Sequence, residues 1–308
     1  MTPLLEDDAA RVRELLREHV STELGEVQQL TGGFFSRAYA VTAGGDDYVV
    51  RLNNAAHAAE GFAKDAYAFQ HFASASLPIP RTFAIGVSGD DAFSISQRMP
   101  GRMLEACSPE ERRRALPALL DTLDVIGQAD VSASRGYGDW SIDGNGRHLS
   151  WHGYLTAIVE NDEDGYYANW HAMYENSFLE RDVYEVVYRR MLELLPHCPE
   201  ERGLIHNDYW FMNVLAEGER ISGVIDWANA LYGDPLYDVA RLSWGSAAEG
   251  WWYADGAELL RARYGHLPDY DERITCYACH IGLDDLRFYV QTDNRTQYEF
   301  FRDRLLAL

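Results

Sequence analysis

The stretch that most constrains this chain is LIHNDYWFMNVL, residues 204–215. Apolar residues begin and end it, as in a segment that enters and leaves a protein core. Between them lie four polar side chains, those of His206, Asn207, Asp208 and Asn213. A buried polar group without a partner costs about 1–3 kcal/mol, so these groups either satisfy one another or carry out chemistry.

The segment that follows favours chemistry. It reads VLAEGERISGVIDW, with two β-like arms around the turn GER. A hairpin here would place Asn213 and Asp226 side by side at its open end, where paired Cβ atoms lie ~5 Å apart. An amide oxygen and a carboxylate at that separation are hard oxygen ligands that suit Mg²⁺. Asp208, which precedes Asn213 by five residues, would then be free to accept a proton from an attacking hydroxyl.

The spacing of these three residues is typical of phosphoryl-transfer enzymes, in which an Asp base and two metal ligands occupy such positions. The sequence therefore predicts Asp208 as the catalytic base and Asn213 and Asp226 as ligands of Mg²⁺. The alternative is a buried polar cluster without a catalytic role, but it does not explain the added hairpin spacing. Downstream, in GDPLYDVA, we expect Asp234 to cap a helix and Asp238 to lie in its first turn, both as structural residues.

The pattern of the whole chain predicts an α+β protein with two lobes. Between residues 27 and 53 the β-rich runs AYAVT and YVVRL alternate with glycine turns, and a helix and the strand AFSISQRM follow. After the break at Pro100–Gly101 the chain becomes mainly helical. We expect a small β-rich N-terminal lobe over residues 1–98 and a larger helical C-terminal lobe over residues 99–308.

Net charge narrows the class of partner. The 49 acidic residues outnumber the 27 basic ones and give a net charge of −22. Such a charge repels nucleic-acid phosphates and anionic lipid, and it attracts a cationic small molecule. It is also compatible with a purely solubilising role. We therefore expect no nucleic acid and no membrane among the partners.

Three further features of the sequence bear on export, membrane insertion and haem. No apolar run approaches the ~18 residues needed to span a membrane, and the N-terminal segment lacks the apolar region of a signal peptide. Cys276, Cys279 and His280 match the haem-attachment pattern C-x-x-C-H. They lie in a predicted amphipathic helix, and haem attachment would need export. We expect a cytoplasmic protein without haem.

The motifs HNDYWFMN, VIDW and GDPLYDVA together resemble the aminoglycoside phosphotransferase family, whose members share the protein-kinase fold. Other stretches, such as DDYVVRLN and HIGLDDL, read most like the members that act on hygromycin B. The resemblance implies ATP-dependent phosphorylation of an aminoglycoside hydroxyl, with Mg²⁺, as a route to antibiotic resistance. Two alternatives stay open: a kinase of another hydroxyl compound such as choline, homoserine or a macrolide, and a non-catalytic ATP-binding protein of the same fold.

The resemblance also implies where the nucleotide would bind. The turn TGGFFSRA, which contains Ser36, would cover the ATP phosphates with backbone N–H groups and a hydroxyl. Gln97 and Met99 would offer a backbone carbonyl and a backbone amide to adenine. An ordinary hairpin turn is the alternative for the glycine-rich segment.

One departure from the wider family concerns the phosphate-binding cation. Most members use a lysine on the third strand, paired to a glutamate on the next helix, whereas this chain has Arg51 and Asp65 there. A longer, forked guanidinium could pair with the shorter acid and still reach a phosphate. Lys64 is the rival cation, but because its neighbour Asp65 faces inward we expect Lys64 to point elsewhere.

The acceptor site is expected to carry acidic side chains, since an aminoglycoside has several ammonium groups. The candidates are Asp284, Asp285 and Glu249. Because the chain has 49 acidic residues, most of them must be ordinary surface residues.

Overall fold

The computed structural model describes residues 6–30, 36–163, 165–245 and 253–308. The chain divides into two compact units, Met1–Val125 with Trp210–Asn229, and Ile126–Tyr209 with Ala230–Leu308. The first unit therefore contains a segment from the second half of the sequence, which includes the predicted hairpin.

The first part of the chain contains one helix, then five strands around a second helix. In order these are α1 (Glu6–His19), β1 (Gln28–Leu30), β2 (Arg37–Ala43), β3 (Asp46–Asn53), α2 (Ala58–Phe72), β4 (Thr82–Ser88) and β5 (Asp91–Gln97). The five strands form one antiparallel sheet in the order β1-β2-β3-β5-β4. The predicted strands AYAVT and YVVRL lie in β2 and β3, and their connecting turn uses Gly44 and Gly45 at positive φ, a conformation that glycine adopts without strain.

Helix α1 packs on this sheet through an apolar stripe. Val12, Leu15 and Leu16 lie on one helical face, at the spacing that brings side chains together. They pack with Val50 and Ile95, which belong to the central strands β3 and β5. Burial of this stripe holds α1 against the sheet whose strand β3 carries Arg51.

The middle of the chain alternates short strands and helices. In order these are β6 (Arg102–Met103), α3 (Pro109–Gly127), β7 (Tyr137–Trp140), β8 (Gly146–His148), α4 (Trp151–Thr156), α5 (Met173–Asn176), α6 (Arg181–Leu194), β9 (Gly203–Ile205), β10 (Val214–Glu217), β11 (Arg220–Val224) and β12 (Leu231–Gly233). Strands β11, β10 and β6 form a three-stranded sheet, and β8, β7, β12 and β9 form a four-stranded sheet.

The last part of the described chain is helical. It contains α7 (Leu236–Gly245), α8 (Tyr253–Tyr264), α9 (Tyr270–Gln291) and α10 (Arg295–Leu306). Helix α9 is the centre of this unit, because it packs against α6, α7 and α10. Cys276, Cys279 and His280 are buried on α9, so the C-x-x-C-H stretch lies inside the helical core. A helix covered on several sides carries apolar residues around most of its circumference.

The predicted class, mixed helices and sheets with a β-rich N-terminal part and a helical C-terminal part, is confirmed. Residues beyond 98 also belong to the first compact unit, since β6 pairs with β10 and Ser222 Oγ donates to the Pro100 carbonyl at 2.6 Å. The lobe boundary between residues 98 and 99 stays a prediction, because compact units and functional lobes need not coincide. No helix of the described residues is both long and apolar enough to cross a membrane.

Candidate active site

The predicted hairpin is present in the first unit. Strands β10 and β11 pair antiparallel, with Val214 opposite Val224, and Gly218 occupies the turn at positive φ. Beyond the last pair, the Asn213 carbonyl accepts the Ile225 N–H at 2.9 Å. Asn213 and Asp226 therefore flank the open end of the hairpin, as the sequence predicts.

Asp226 has an unusual backbone conformation. Its φ is +67°, in the left-handed region that few residues other than glycine adopt. The next residue, Trp227, is bound to helix α2, because its backbone N–H donates to Asp65 Oδ1 at 2.7 Å. Non-glycine residues in this region often lie at functional sites, where the surrounding structure holds them in place.

Asp65 binds two partners at once. Besides Trp227, its carboxylate pairs with the Arg51 guanidinium on β3. The ion pair predicted between Arg51 and Asp65 is thus present, and it links the sheet, helix α2 and the segment after Asp226. Arg51 also lies over the Phe62 ring, 4.8 Å from its centroid.

The guanidinium of Arg51 keeps its charge and has a spare donor. Burial lowers the pKa of Arg51, but the charges of Asp65 and Asp226 outweigh burial and raise it above its ordinary value. Arg51 Nε is buried and has no hydrogen-bond partner among the described residues. An unpaired buried donor of this kind is uncommon, and an anionic ligand oxygen would satisfy it.

The other residues predicted for the nucleotide also lie in this unit. Ser36 Oγ accepts from Asn53 Nδ2 at 3.4 Å, while residues 31–35 of its turn lie outside the described residues. The Gln97 N–H donates to the Arg81 carbonyl at 2.8 Å. Met99 packs against Gly223, where an added Cβ would come within 2.9 Å of Met99 Cβ. Lys64 is buried rather than on the solvent face of α2.

The second unit carries the loop with Asp208. After β9 the chain passes through His206, which is fully buried, and Asn207, whose φ is +62°. The Asp238 carboxylate on α7 accepts the N–H groups of both residues, at 2.7 and 2.8 Å. The Asp208 N–H then donates to His206 Nδ1 at 3.2 Å. Three consecutive backbone amides are therefore tied down, which fixes the position of Asp208.

The sequence predicts that Asp238 lies in the first turn of a helix, which is confirmed, but it does not indicate which groups the Asp238 carboxylate binds. Asp238 lies in the first turn of α7, yet its carboxylate binds the Asp208 loop as well as lying near the helix dipole. Burial raises the pKa of Asp238 to about 7, assisted by the charge of Asp208 and opposed by the two N–H groups and Arg241. The spacing of Asp238 and Arg241 on one helical face was visible in the sequence, but the loop opposite was not.

The acceptor candidates on α9 are already bound to arginines. Asp284 Oδ1 accepts from Arg287 Nη2 at 2.8 Å, and Asp285 Oδ1 accepts from Arg241 Nη1 at 3.0 Å. Burial raises the pKa of Asp285, and the charge of Arg241 opposes that rise. Asp284 is the more exposed of the two, with 33% of its side chain accessible against 17% for Asp285. Glu249 lies outside the described residues.

The residues at the hairpin fit a magnesium ion. Within the described ranges there is no group of three or more His, Cys, Asp or Glu side chains that could hold a metal. Asn213 and Asp226 instead offer one amide oxygen and one carboxylate, both hard donors. Mg²⁺ in kinases is commonly held by one or two such side chains together with phosphate oxygens and water, so two protein ligands are sufficient.

Comparison with known proteins agrees with the motifs. A model of the phosphotransferase enzyme family matches residues 26–274, which include the whole segment from Asp208 to Asp226. The chain is 32% identical to hygromycin-B 4-O-kinase from Escherichia coli over 284 residues, 90% of this chain and 78% of that protein. It is 24% identical to a homoserine kinase from Methylobacillus flagellatus over 239 residues, 75% of this chain and 66% of that one.

Solved structures agree as well. A thermostable mutant of aminoglycoside phosphotransferase APH(4)-Ia, in a ternary complex with AMP-PNP and hygromycin B, matches with a TM-score of 0.81 and 32% identity. The match covers 96% of this chain and 97% of that one. The predicted kinase-like fold is thereby confirmed. On the family match, the identity to a kinase and this structural likeness, the chain is a member of the phosphotransferase enzyme family, whose model describes most of its length.

Proposed function

We propose that this protein transfers the γ-phosphoryl group of ATP to a hydroxyl of an aminoglycoside, namely the 4-hydroxyl of hygromycin B. The observation that carries the proposal is the 32% identity to hygromycin-B 4-O-kinase over 90% of this chain. Such an extent includes both the β-rich unit with Arg51 and the helices around Asp208. The structural relative that binds hygromycin B and a nucleotide analogue supports the same substrates.

In the proposed reaction Asp208 is the general base. Its carboxylate accepts the proton of the acceptor hydroxyl as that oxygen attacks the γ-phosphorus. The new O–P bond forms while the bond from the γ-phosphorus to the β,γ-bridging oxygen breaks, and ADP leaves with that electron pair. The proton then passes from Asp208 to solvent. The three tethered amides at His206, Asn207 and Asp208 support this role, because a base must be held within hydrogen-bond reach of its proton.

The nucleotide is assigned to the first unit. Arg51 would donate to a phosphate oxygen through the Nε–H that has no protein partner among the described residues, while Asp65 keeps the guanidinium oriented. Ser36 would contribute its hydroxyl to the phosphates. Gln97 and Met99 would meet the adenine edge, and neither the N–H nor the C=O of Met99 bonds to another group in the described parts of the chain.

Asn213 and Asp226 would hold Mg²⁺. When bound, the ion would neutralise charge on the phosphate oxygens and help to orient the transferred group. The hairpin pairing that ties Ile225 to Asn213 keeps these two residues at the same end of β10 and β11.

The acceptor is assigned by charge and by relatives. A net charge of −22 favours the approach of a polycation, and Asp284 keeps a third of its side chain exposed. The similarity to homoserine kinase makes homoserine the second candidate acceptor.

The cytoplasmic location of the protein stays a prediction from the sequence.

A panel of acceptors tests the proposal. ATP consumption is measured with hygromycin B, kanamycin, streptomycin, choline and homoserine, with the Asp208→Ala variant as the matched blank. We expect Mg²⁺-dependent turnover with hygromycin B, and NMR of the product should place phosphate on the 4-hydroxyl. Turnover with homoserine or choline and none with hygromycin B would overturn the substrate, and turnover with kanamycin alone would keep the family but change the acceptor.

A further inference from the structure

Helix α7 presents three side chains to one side of the second unit. Asp238, Arg241 and Trp244 are spaced three residues apart, so they follow one face of the helix. Asp238 binds the backbone of the loop that carries Asp208. The next two residues along this face have no role in the function proposed above.

Arg241 connects the loop to helix α9. Its Nη2 donates to the side-chain oxygen of Asn207 at 3.2 Å, and its Nη1 donates to Asp285 Oδ1 at 3.0 Å. A guanidinium is a rigid planar fork, so two partners bound to its two ends fix its plane. Arg241 therefore connects the Asn207 side chain to Asp285 on helix α9, and α9 lies in the core of the second unit.

Asp285 is fully engaged by α7. Its second oxygen, Oδ2, accepts from the indole Nε1 of Trp244 at 2.9 Å. Trp244 is 2% exposed and packs against Phe301, with ring centroids 5.5 Å apart. Both carboxylate oxygens of Asp285 are thus bound by groups of the protein, and an acceptor ammonium could reach this carboxylate only by competing with Arg241 and Trp244.

The charge of Arg241 is secure. Burial lowers the pKa of Arg241, but Asp285, Tyr237, Asp284 and Asp208 together raise it above its ordinary value. Asp208 is among the groups that stabilise this cation, so Arg241 and the predicted base lie within electrostatic reach of each other. Removal of Arg241 would leave Asp285 as a buried carboxylate without its cation, which is unfavourable.

Asn207 explains why a side-chain tether is needed in addition to Asp238. A non-glycine residue at φ +62° is less stable than in the ordinary regions, although Asn tolerates this conformation better than most. It persists where several contacts determine it together. Asp238 holds its amide and Arg241 holds its side chain, and the next residue is Asp208.

We propose that Arg241, braced by Asp285 and Trp244, is a positioning residue for the loop that carries Asp208, and that Asp285 acts through Arg241 and does not bind the acceptor. This inference rests on the proposed function, because it assigns Asp208 as the base. It adds to that function three residues, Arg241, Asp285 and Trp244, that raise kcat by positioning the loop and do not contact either substrate.

The test compares Arg241→Ala, Asp285→Asn and their double variant with Arg261→Ala. Arg261 is a matched control, because it also pairs with an aspartate, Asp271, but at the surface of the same unit. A charged hydrogen bond contributes enough that its loss corresponds to about a 10- to 100-fold effect. We expect kcat to fall by about that factor in Arg241→Ala, with the KM for ATP and for the acceptor within about twofold of wild type.

The double variant separates positioning from acceptor binding. If Asp285 acts through Arg241, adding Asp285→Asn to Arg241→Ala should leave kcat nearly unchanged, since coupled residues are not additive. Additive losses, or a raised acceptor KM in Asp285→Asn with kcat preserved, would overturn the proposal.

The conservative variant Arg241→Lys tests the bridging geometry. Lysine keeps the charge but cannot bridge both partners, so we expect Arg241→Lys to restore thermal stability and only part of kcat. Full recovery of kcat would contradict the bridging role.

Hydrogen exchange keeps the inference separate from the identity of the acceptor. Peptides covering residues 204–215 should exchange their amides faster in Arg241→Ala than in Arg261→Ala and wild type, because the loop loses a tether. The measurement uses no acceptor, so it remains decisive if hygromycin B proves not to be the substrate. Should Arg241→Ala fail to fold, Trp244→Phe, which removes the indole donor and keeps a smaller aromatic ring against Phe301, serves in its place. Unchanged exchange in this segment then contradicts the proposal.

Discussion

Two buried carboxylates, Asp65 in the first unit and Asp238 in the second, hold the residues predicted to catalyse phosphoryl transfer. Asp65 accepts the N–H of Trp227, next to Asp226, and also pairs with Arg51. Asp238 accepts two backbone N–H groups directly before Asp208. Each carboxylate thus fixes a backbone segment, but only Asp65 is hydrogen-bonded to a cation as well.

This difference has physical consequences. A carboxylate whose hydrogen-bond partners are N–H dipoles and not a cation is sensitive to burial. Burial raises the pKa of Asp238 to about 7. The first unit should therefore respond most to loss of a charge, and the loop in the second unit to loss of geometry and to pH.

The largest effect is expected for the base itself. Asp208→Ala should lower kcat by ~10²–10⁴-fold, the usual range for loss of a general base. The dissociation constant for AMP-PNP should stay close to that of wild type, because the nucleotide residues belong to the first unit. Steady-state kinetics and calorimetric titration measure the two quantities. Near-full turnover would remove Asp208 from its assigned role.

Loss of the phosphate-binding cation should act on the nucleotide side. Arg51→Ala removes a charge-assisted hydrogen bond, so the KM for ATP should rise about 10- to 100-fold. Asp65 would also lose its cation while buried, and a lowered midpoint of thermal unfolding should accompany the kinetic change. Arg81→Ala, at an exposed position on the same unit, is the control. If the KM for ATP follows Lys64→Ala and not Arg51→Ala, the lone lysine is the phosphate ligand.

The metal ligand should give a smaller and more specific effect. Asp226→Asn replaces a charged ligand with a neutral one, so more Mg²⁺ should be needed to reach half-maximal binding of AMP-PNP. The acceptor KM should be unchanged. Titration of Mg²⁺ at fixed AMP-PNP measures the midpoint for wild type and variant, and identical midpoints would exclude Asp226 from the metal site.

The smallest effect sharpens the comparison through pH. Because the pKa of Asp238 is higher in the folded protein than its ordinary value of 3.8, the folded state binds this proton more tightly than the unfolded state. Its stabilising contribution is therefore present at low pH and is lost as pH rises toward 7. Asp238→Asn cannot ionise, so its deficit in Tm relative to wild type should shrink between pH 5 and pH 8. A deficit that does not change with pH contradicts the raised pKa.

The local sequence was sufficient to predict several strands and the hairpin of the candidate site. The turn residues and alternating runs specify β2, β3 and the β10–β11 hairpin, because these features depend on residues close together in the chain. The same is true of the spacing from Asp208 to Asn213 and Asp226. The Arg51–Asp65 ion pair was predicted from the resemblance to a family. The prediction was possible because β3 and α2 follow each other in the sequence and carry residues of opposite charge at the matching positions.

Tertiary structure decided which groups the other polar residues bind. Asp238, Arg241 and Trp244 could be placed on one helical face, but nothing local indicates that a loop some thirty residues earlier and Asp285 on α9 lie opposite them. The same limit made Asp285 a candidate for binding the acceptor, although its two oxygens are bound by Arg241 and Trp244 of α7. Hydrogen bonds of this kind join segments that are distant in sequence, and their partners are set by how α7 and α9 pack in the core, which is a property of the whole chain and not of any window of it.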